Sequence, residues 1–325
     1  MDAKVRAHRR WRPWRAVGAL VVVVLVVVGA AVPAVIAYRL HPARVPVDDD
    51  PGRHGLSYEA ISFASLLDGA PLSGWYLSSP KSTGRAIVVA PGIDNNRLQS
   101  GITLRLAPAL LGAGFDVLAF DLRGEGESGG APITFGAREQ WDILAAVKEA
   151  KARGAERVGV LGFSLGAASA ILAAARSREI DALVVDSGFF NLEEMLTREM
   201  EGRYHLPGPL VAYALLDYRL LSGTDPSEVA PGLVIGDIAP RPILLIHGTA
   251  DETFPTSDSE RLLVAAGGSA AQLWLVPGGR HTGSYFADPV GYERRVIDFF
   301  SEALRQDESI ARRSRHTAGP DAAPS

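Results

Sequence analysis

The 325-residue chain contains no cysteine, which excludes disulfides, a thiolate nucleophile and any cysteine-bound metal. It also lacks an excess of basic charge. Lys and Arg total 33 against 37 Asp and Glu, giving a net charge of −4 and a pI near 6.0. That balance leaves no electropositive footprint for nucleic acid. Nothing in the sequence calls for a metal or an organic cofactor. Histidine is scarce as well, with seven residues, so the search for a general base is short.

Charge is missing altogether from Ala16 to Tyr38, a stretch centred on the run Val21 to Val28. At about 1.5 Å per residue such a helix reaches across the roughly 30 Å of a hydrocarbon core. A helix satisfies its own backbone in lipid, and valines do not prevent that. Pro33 lies near the far end, and Trp11, Trp14 and Tyr38 flank the run where interfacial aromatics belong. A cleaved secretory signal, with Val35-Ile36-Ala37 as its cleavage context, and a buried core helix are the alternatives. The run exceeds the 7–15 residue apolar core usual in signal peptides, so a retained single-pass anchor is expected over 16–38. Residues 1–15 carry Lys4, Arg6, Arg9, Arg10, Arg12 and Arg15 against Asp2 alone. They outnumber Arg39 and Arg44 beyond the helix, so the N-terminus should be cytoplasmic and the remainder extracytoplasmic.

Residues 39–56, with Pro42, Pro46 and the acidic run Asp48 to Asp50, read as a linker. Residues 306–325 lack apolar periodicity and read as a disordered tail. Between them, 57–305 alternates short apolar runs with amphipathic ones, the pattern of a sheet covered by helices. Tyr58 to Ser65 and Pro71 to Ser78 should form a hairpin across Asp68-Gly69. Uniformly apolar runs such as Ile87-Val88-Val89 imply strands buried on both faces, hence parallel pairing. From about 189 to 240 the rhythm breaks. Helical pieces over Leu192 to Glu201 and Leu210 to Leu221 occur without a strand, as expected of a cap inserted above the strand ends.

The chemistry centres on Gly162-Phe163-Ser164-Leu165-Gly166. An apolar strand, Val158 to Phe163, precedes Ser164, and an alanine-rich helix follows it. A serine presented on that sharp turn needs small neighbours and gains from the helix N-terminus behind it. Its hydroxyl requires an imidazole base. His8 and His41 lie beside the apolar helix, His54 precedes the domain, His205 is in the cap region and His316 in the tail. His247 ends a strand before Gly248, a structural position. His281 is left, in the polar loop Gly278 to Gly283 between the last strand and the last helix. The third member should be a carboxylate that orients the imidazole. Asp251 follows the strand Ile243 to Ile246 and is favoured, with Glu252 and Asp186 as fallbacks. Two backbone N–H groups should face the developing oxyanion, one from Leu165 and one from the loop Pro91-Gly92-Ile93-Asp94, with Ile93 the better choice.

With these residues assembled, the chain resembles the α/β-hydrolase superfamily over about Ser57 to Leu304. It looks most like bacterial membrane-anchored hydrolases of the serine aminopeptidase/monoacylglycerol lipase-like grouping. The order Ser164, Asp251, His281 matches. So does Asp121-Leu122-Arg123-Gly124-Glu125-Gly126-Glu127-Ser128, similar to that grouping's D-x-R-G-x-G-x-S turn, where Glu125 stands in place of a frequent His. The segment Ile238 to Gly248 resembles the family's approach to the acid. The usual His-Gly of the oxyanion loop is Pro91-Gly92 here. The resemblance implies an α/β-hydrolase fold: a mostly parallel sheet flanked by helices, a small helical cap and, in this chain, one preceding transmembrane helix.

The leading expectation is therefore a serine hydrolase acting on a small-molecule ester or acyl substrate. Met195, Met200, Tyr204, Leu206, Leu210, Tyr213, Leu215, Leu216 and Tyr218 would line an apolar pocket or simply pack the cap onto the sheet. The alternatives are an aminopeptidase or other amidase on the same triad, with Glu193, Glu194, Glu199 or Glu201 holding a substrate ammonium, and a non-catalytic, membrane-tethered binding protein.

Overall fold

A computed structural model describes residues 13–268 and 270–305. The basic residues Lys4 to Arg12, Trp11 and the 306–325 tail lie outside the described residues. The strands are β1 (Glu59–Ala64), β2 (Pro71–Leu77), β3 (Arg85–Ala90), β4 (Phe115–Phe120), β5 (Arg157–Phe163), β6 (Ala182–Asp186), β7 (Ile243–Gly248) and β8 (Ala271–Val276). Helices α1 (Pro13–Leu40), α2 (Ile102–Gly112), α3 (Glu139–Ala152), α4 (Leu165–Arg176), α5 (Leu192–Arg198) and α6 (Gly208–Ser222) precede β7, and Thr256–Ala265 and Pro289–Ala303 follow it.

The eight strands of the described residues form one sheet in the order β1-β2-β4-β3-β5-β6-β7-β8. The β1–β2 hairpin is antiparallel, as is the β2–β4 pair, and the remaining pairs are parallel. Alternate residues feed two cores. Val88, Val160 and Val185 pack to one side with α3 and α4. Ile87, Leu161 and Val184 pack to the other with α2 and Phe300. Both faces are dry, which is why these strands read as uninterrupted apolar runs. The chain winds outward in opposite directions from the adjacent strands β3 and β5, so the loops at their carboxyl ends diverge and leave a crevice.

The region 189–240 contributes α5, α6 and short turns without a strand. Regular α-helix stops at Arg198, where the next turn widens into a π-helix over Glu199–Arg203. The longest apolar helix among the described residues is α1, whose most apolar 18-residue window within Ala16–Leu40 has a mean hydropathy of 3.1. It does not end in a free spacer. Leu40 is buried with Phe189, Met195, Tyr218 and Phe254, and its carbonyl accepts the Ile133 N–H at 2.9 Å. Beyond it, Asn96 Nδ2 donates to the carbonyls of Val45 (3.4 Å) and Pro46 (2.9 Å), laying residues 41–56 along the domain.

Because Leu40 belongs to this cluster, Leu40→Ala is expected to cost about 2–5 kcal/mol by cavity formation. Denaturant unfolding of the full chain checks this; a change within a few tenths of a kcal/mol would mean that α1 is not part of the folded unit.

Candidate active site

At the end of β5 the chain turns directly into α4. Ser164, in that turn, adopts φ +48° and ψ −110°. A β-carbon added at Gly162 would meet the Gly166 carbonyl, and one added at Gly166 would meet the carbonyls of Ala90 and Pro91. Only glycine fits at either position, so the spacing of the motif is a steric requirement of the turn. The Ser164 N–H donates to the Asp186 carbonyl at 2.9 Å, tying the turn to the neighbouring strand.

His281 comes from the loop after β8 and Asp251 from the loop after β7. The structure brings both to Ser164: His281 Nε2 lies 2.9 Å from Ser164 Oγ, and His281 Nδ1 lies 2.8 Å from Asp251 Oδ2. Asp251 Oδ1 accepts the backbone N–H groups of Thr253 (2.8 Å) and Phe254 (2.9 Å). Burial works against this carboxylate, but hydrogen bonds from His247 and His281 override it and hold its pKa well below the ordinary range. The role of His247 was not legible in the sequence. Its Nε2 lies 3.0 Å from the Phe254 carbonyl and 3.2 Å from Asp251 Oδ2, and its Nδ1 lies 2.7 Å from Ser259 Oγ. Since a carbonyl only accepts, the Nε2 proton sits toward Phe254 and Asp251. The edge of Phe254 closes against the His281 ring, with centroids 4.7 Å apart.

Neither fallback acid reaches the imidazole. Glu252 is exposed. Asp186 is fully buried and accepts the hydroxyls of Ser187 (2.9 Å) and Ser284 (3.2 Å). Ser187 Oγ in turn accepts the Thr282 N–H at 3.0 Å, so Asp186 steadies the loop that carries His281. Burial raises its pKa to about 6.

Ile93 and Leu165 both border the same cavity as Ser164. Among the described residues neither backbone N–H has an acceptor, whereas the Gly92 N–H is committed to Gln99 Oε1 at 2.8 Å. The loop approaches so closely that a β-carbon on Gly92 would come within 3.3 Å of Ser164 Cβ. Ser164, His281, Ile93 and Leu165 thus border one cavity, with the Asp251 carboxylate against the far nitrogen of the imidazole.

A family model described as "Serine aminopeptidase, S33" matches residues 82–228. YqkD of Bacillus subtilis is 31% identical over 236 residues, covering 71% of this chain and 75% of that protein. The chain belongs to the α/β-hydrolase superfamily. YfhR of Escherichia coli K12 is 29% identical over 269 residues, 80% of this chain and 86% of its own length. Among solved structures, the Pyrococcus furiosus esterase Pf2001 superposes with a TM-score of 0.69 at 26% identity, covering 82% of this chain and 98% of that one. Est1E of Butyrivibrio proteoclasticus, solved with ferulic acid, has a TM-score of 0.58 at 20% identity over 76% of this chain and all of its own, and shares the fold.

The D-x-R-G-x-G-x-S segment of this hydrolase is a turn held by side-chain hydrogen bonds and ion pairs. Arg97, a partner that no motif announced, gives Asp121 a two-nitrogen ion pair at 2.6 and 3.1 Å. Arg123 makes a second such pair with buried Asp142. Ser128 Oγ donates to the Asp121 carbonyl and accepts the Ser73 N–H. Within the turn, Glu125 Oε1 accepts the Asp94 N–H at 2.9 Å and so braces the loop that bears Ile93. Its other oxygen is buried and has no partner among the described residues.

The hydrolase's cavity measures about 740 Å³. All of the apolar and aromatic cap residues expected to line it do so, except Tyr213 and Leu216. Of the four cap glutamates, only Glu199 reaches it. Glu194 turns outward to Arg261 at 2.6 Å. One side of the cavity is formed by Ala31, Val32, Val35 and Ile36 of α1.

Burial raises the Glu125 pKa from the usual carboxyl range to about 8. A carboxyl raised on folding contributes stability that is full below its unfolded value and is lost as pH climbs through the folded one. Glu125→Gln keeps the acceptor for Asp94 without the titration. Its melting temperature should match the native chain near pH 4 and exceed it at pH 9; parallel melting curves at both pH values would remove this account.

Proposed function

We propose that the protein is a membrane-held serine esterase that cleaves carboxylic esters through an acyl-enzyme on Ser164. The observation that carries this reading is the unbroken line from Asp251 through His281 to Ser164, at 2.8 and 2.9 Å, facing an apolar cavity. His281 takes the Ser164 proton as Oγ attacks the ester carbonyl, and the Ile93 and Leu165 N–H groups receive the oxyanion. Collapse of the tetrahedral intermediate expels the alcohol, which takes the proton from His281. Water, deprotonated by the same imidazole, then releases the acid. Asp251 stays charged throughout, holding the Nδ1 proton and stabilising the imidazolium. The esterase Pf2001 among the structural relatives supports ester chemistry.

The charge-free length and hydropathy of α1 support a single membrane span. The basic residues before it support a cytoplasmic N-terminus and an extracytoplasmic hydrolase domain. The second reading, an aminopeptidase, draws on one observation: Glu199 lines the cavity and could hold a substrate ammonium. Arg39 and Arg203 line it too, leaving the charged side chains there net positive, which favours the ester.

Four measurements test these statements. A fluorophosphonate probe should label the native chain and not Ser164→Ala, and no label on folded native chain would refute the acyl-enzyme. Asp251→Asn should retain the fold yet lower kcat for a p-nitrophenyl ester by about 10⁴-fold, with aminoacyl amides cleaved more slowly than esters by the native chain. Protease added to intact cells should digest the C-terminal portion; full protection of it would reverse the assigned topology.

A further inference from the structure

We infer that the outer part of α1 is a wall of the substrate-binding site, and that the substrate is an ester whose apolar chain resides in the outer leaflet and enters sideways along this helix. The inference rests on the esterase and membrane-span readings above and assigns their substrate class.

Ala31, Val32, Val35, Ile36, Arg39 and Leu40 border the same cavity as Ser164 and His281. Val28, Val32 and Ile36, four residues apart, are part-buried on one face of α1, in line with buried Leu40. The cap helix lies against α1, and its Tyr213 hydroxyl donates to the Gly29 carbonyl at 3.4 Å. Val35 lines the cavity and is nonetheless 60% exposed. It therefore marks the open side.

Depth decides what that opening faces. The charge-free stretch from Ala16 to Tyr38 is 23 residues, or about 35 Å of helix, slightly longer than a hydrocarbon core of roughly 30 Å. The first charge beyond it, Arg39, also lines the cavity, with its Nη2 3.4 Å from the Tyr204 hydroxyl. The cavity thus begins at the charge boundary and runs about 12 Å down α1 to Ala31, the distance spanned by eight helical residues. Ala31, Val32 and Val35 consequently meet the cavity at the depth of acyl chains, while Arg39 meets it at the level of headgroups. The outer face of α6 agrees, since Leu216 and Leu220, one turn apart, are 53% and 71% exposed. Beside a membrane helix these leucines are covered by lipid rather than water. A polar end at the rim and an apolar end in the leaflet match an amphipathic ester.

The test uses the full chain in phospholipid nanodiscs and reads the rates at which short-alkyl and hexadecyl fluorophosphonates label Ser164. Val32→Trp and Val35→Trp are expected to lower the long-to-short rate ratio about tenfold or more. Val23→Trp, on α1 but outside the cavity, should leave that ratio at the native value. A ratio unmoved by either cavity variant, or an equal loss with both probes, overturns the proposal. Absence of labelling by the short probe in the native chain overturns the esterase reading and this one with it. A single cysteine is available as a reporter because the chain has none of its own. Disulfide-linked dimers of Val35→Cys, with the ratio unmoved in the tryptophan variants, would assign the opening to a second copy and also overturn the proposal.

Discussion

Ser164 is held in a backbone conformation that costs a non-glycine residue about 1–3 kcal/mol. The rest of the molecule is arranged to maintain it. The turn exists because β5 sits centrally between β3 and β6, its N–H at Ser164 anchored to β6, with α4 packed immediately behind. Gly162 and Gly166 give the room that the crossing requires, and no other residue could occupy either place. The reward is position: the hydroxyl stands at the crevice where the strand-end loops diverge, and the first free N–H of α4 lies next to it.

Around this turn the loops are polar and held by ion pairs and hydrogen bonds. Asp121 with Arg97 and Arg123 with Asp142 are buried ion pairs of short geometry. Removing either partner of such a pair would strand the other's charge, so these contacts set loop shape more than they add net stability. Asp251 is kept ionised in a buried place by two imidazoles and two backbone N–H groups. Asp186 looks like a spare acid by its strand-end position, yet it is spent on the serines that steady the His281 loop. A site built this way needs little reorganisation once a substrate arrives.

The apolar helix is joined to the same architecture. Leu40 fills the cluster under the cap, and the residues before it reach the cavity. The apolar helix and the hydrolase domain therefore share a boundary of side chains rather than a tether.

Much of this was readable in one dimension. The hairpin, the doubly buried strands and the helices on either side of Ser164 follow from local periodicity and glycine sterics, which act over a few residues. Ser164, Asp251, His281 and the loop bearing Ile93 could be singled out because each lies on a loop or turn that follows a strand, at the end of the sheet where the crevice opens. The sequence could not show that His247 leans on Asp251, that Gln99 occupies the Gly92 N–H, or that Arg97 pairs with Asp121. Nor could it choose Glu199, which lines the cavity, among four glutamates spread over α5 and the π-helical turn that follows it. Local pattern determined the elements and the chemical groups they carry. Only the tertiary structure decided which groups meet, because contacts such as the one between residues 164 and 281 are set by how whole layers pack, and packing leaves no periodic trace in the chain.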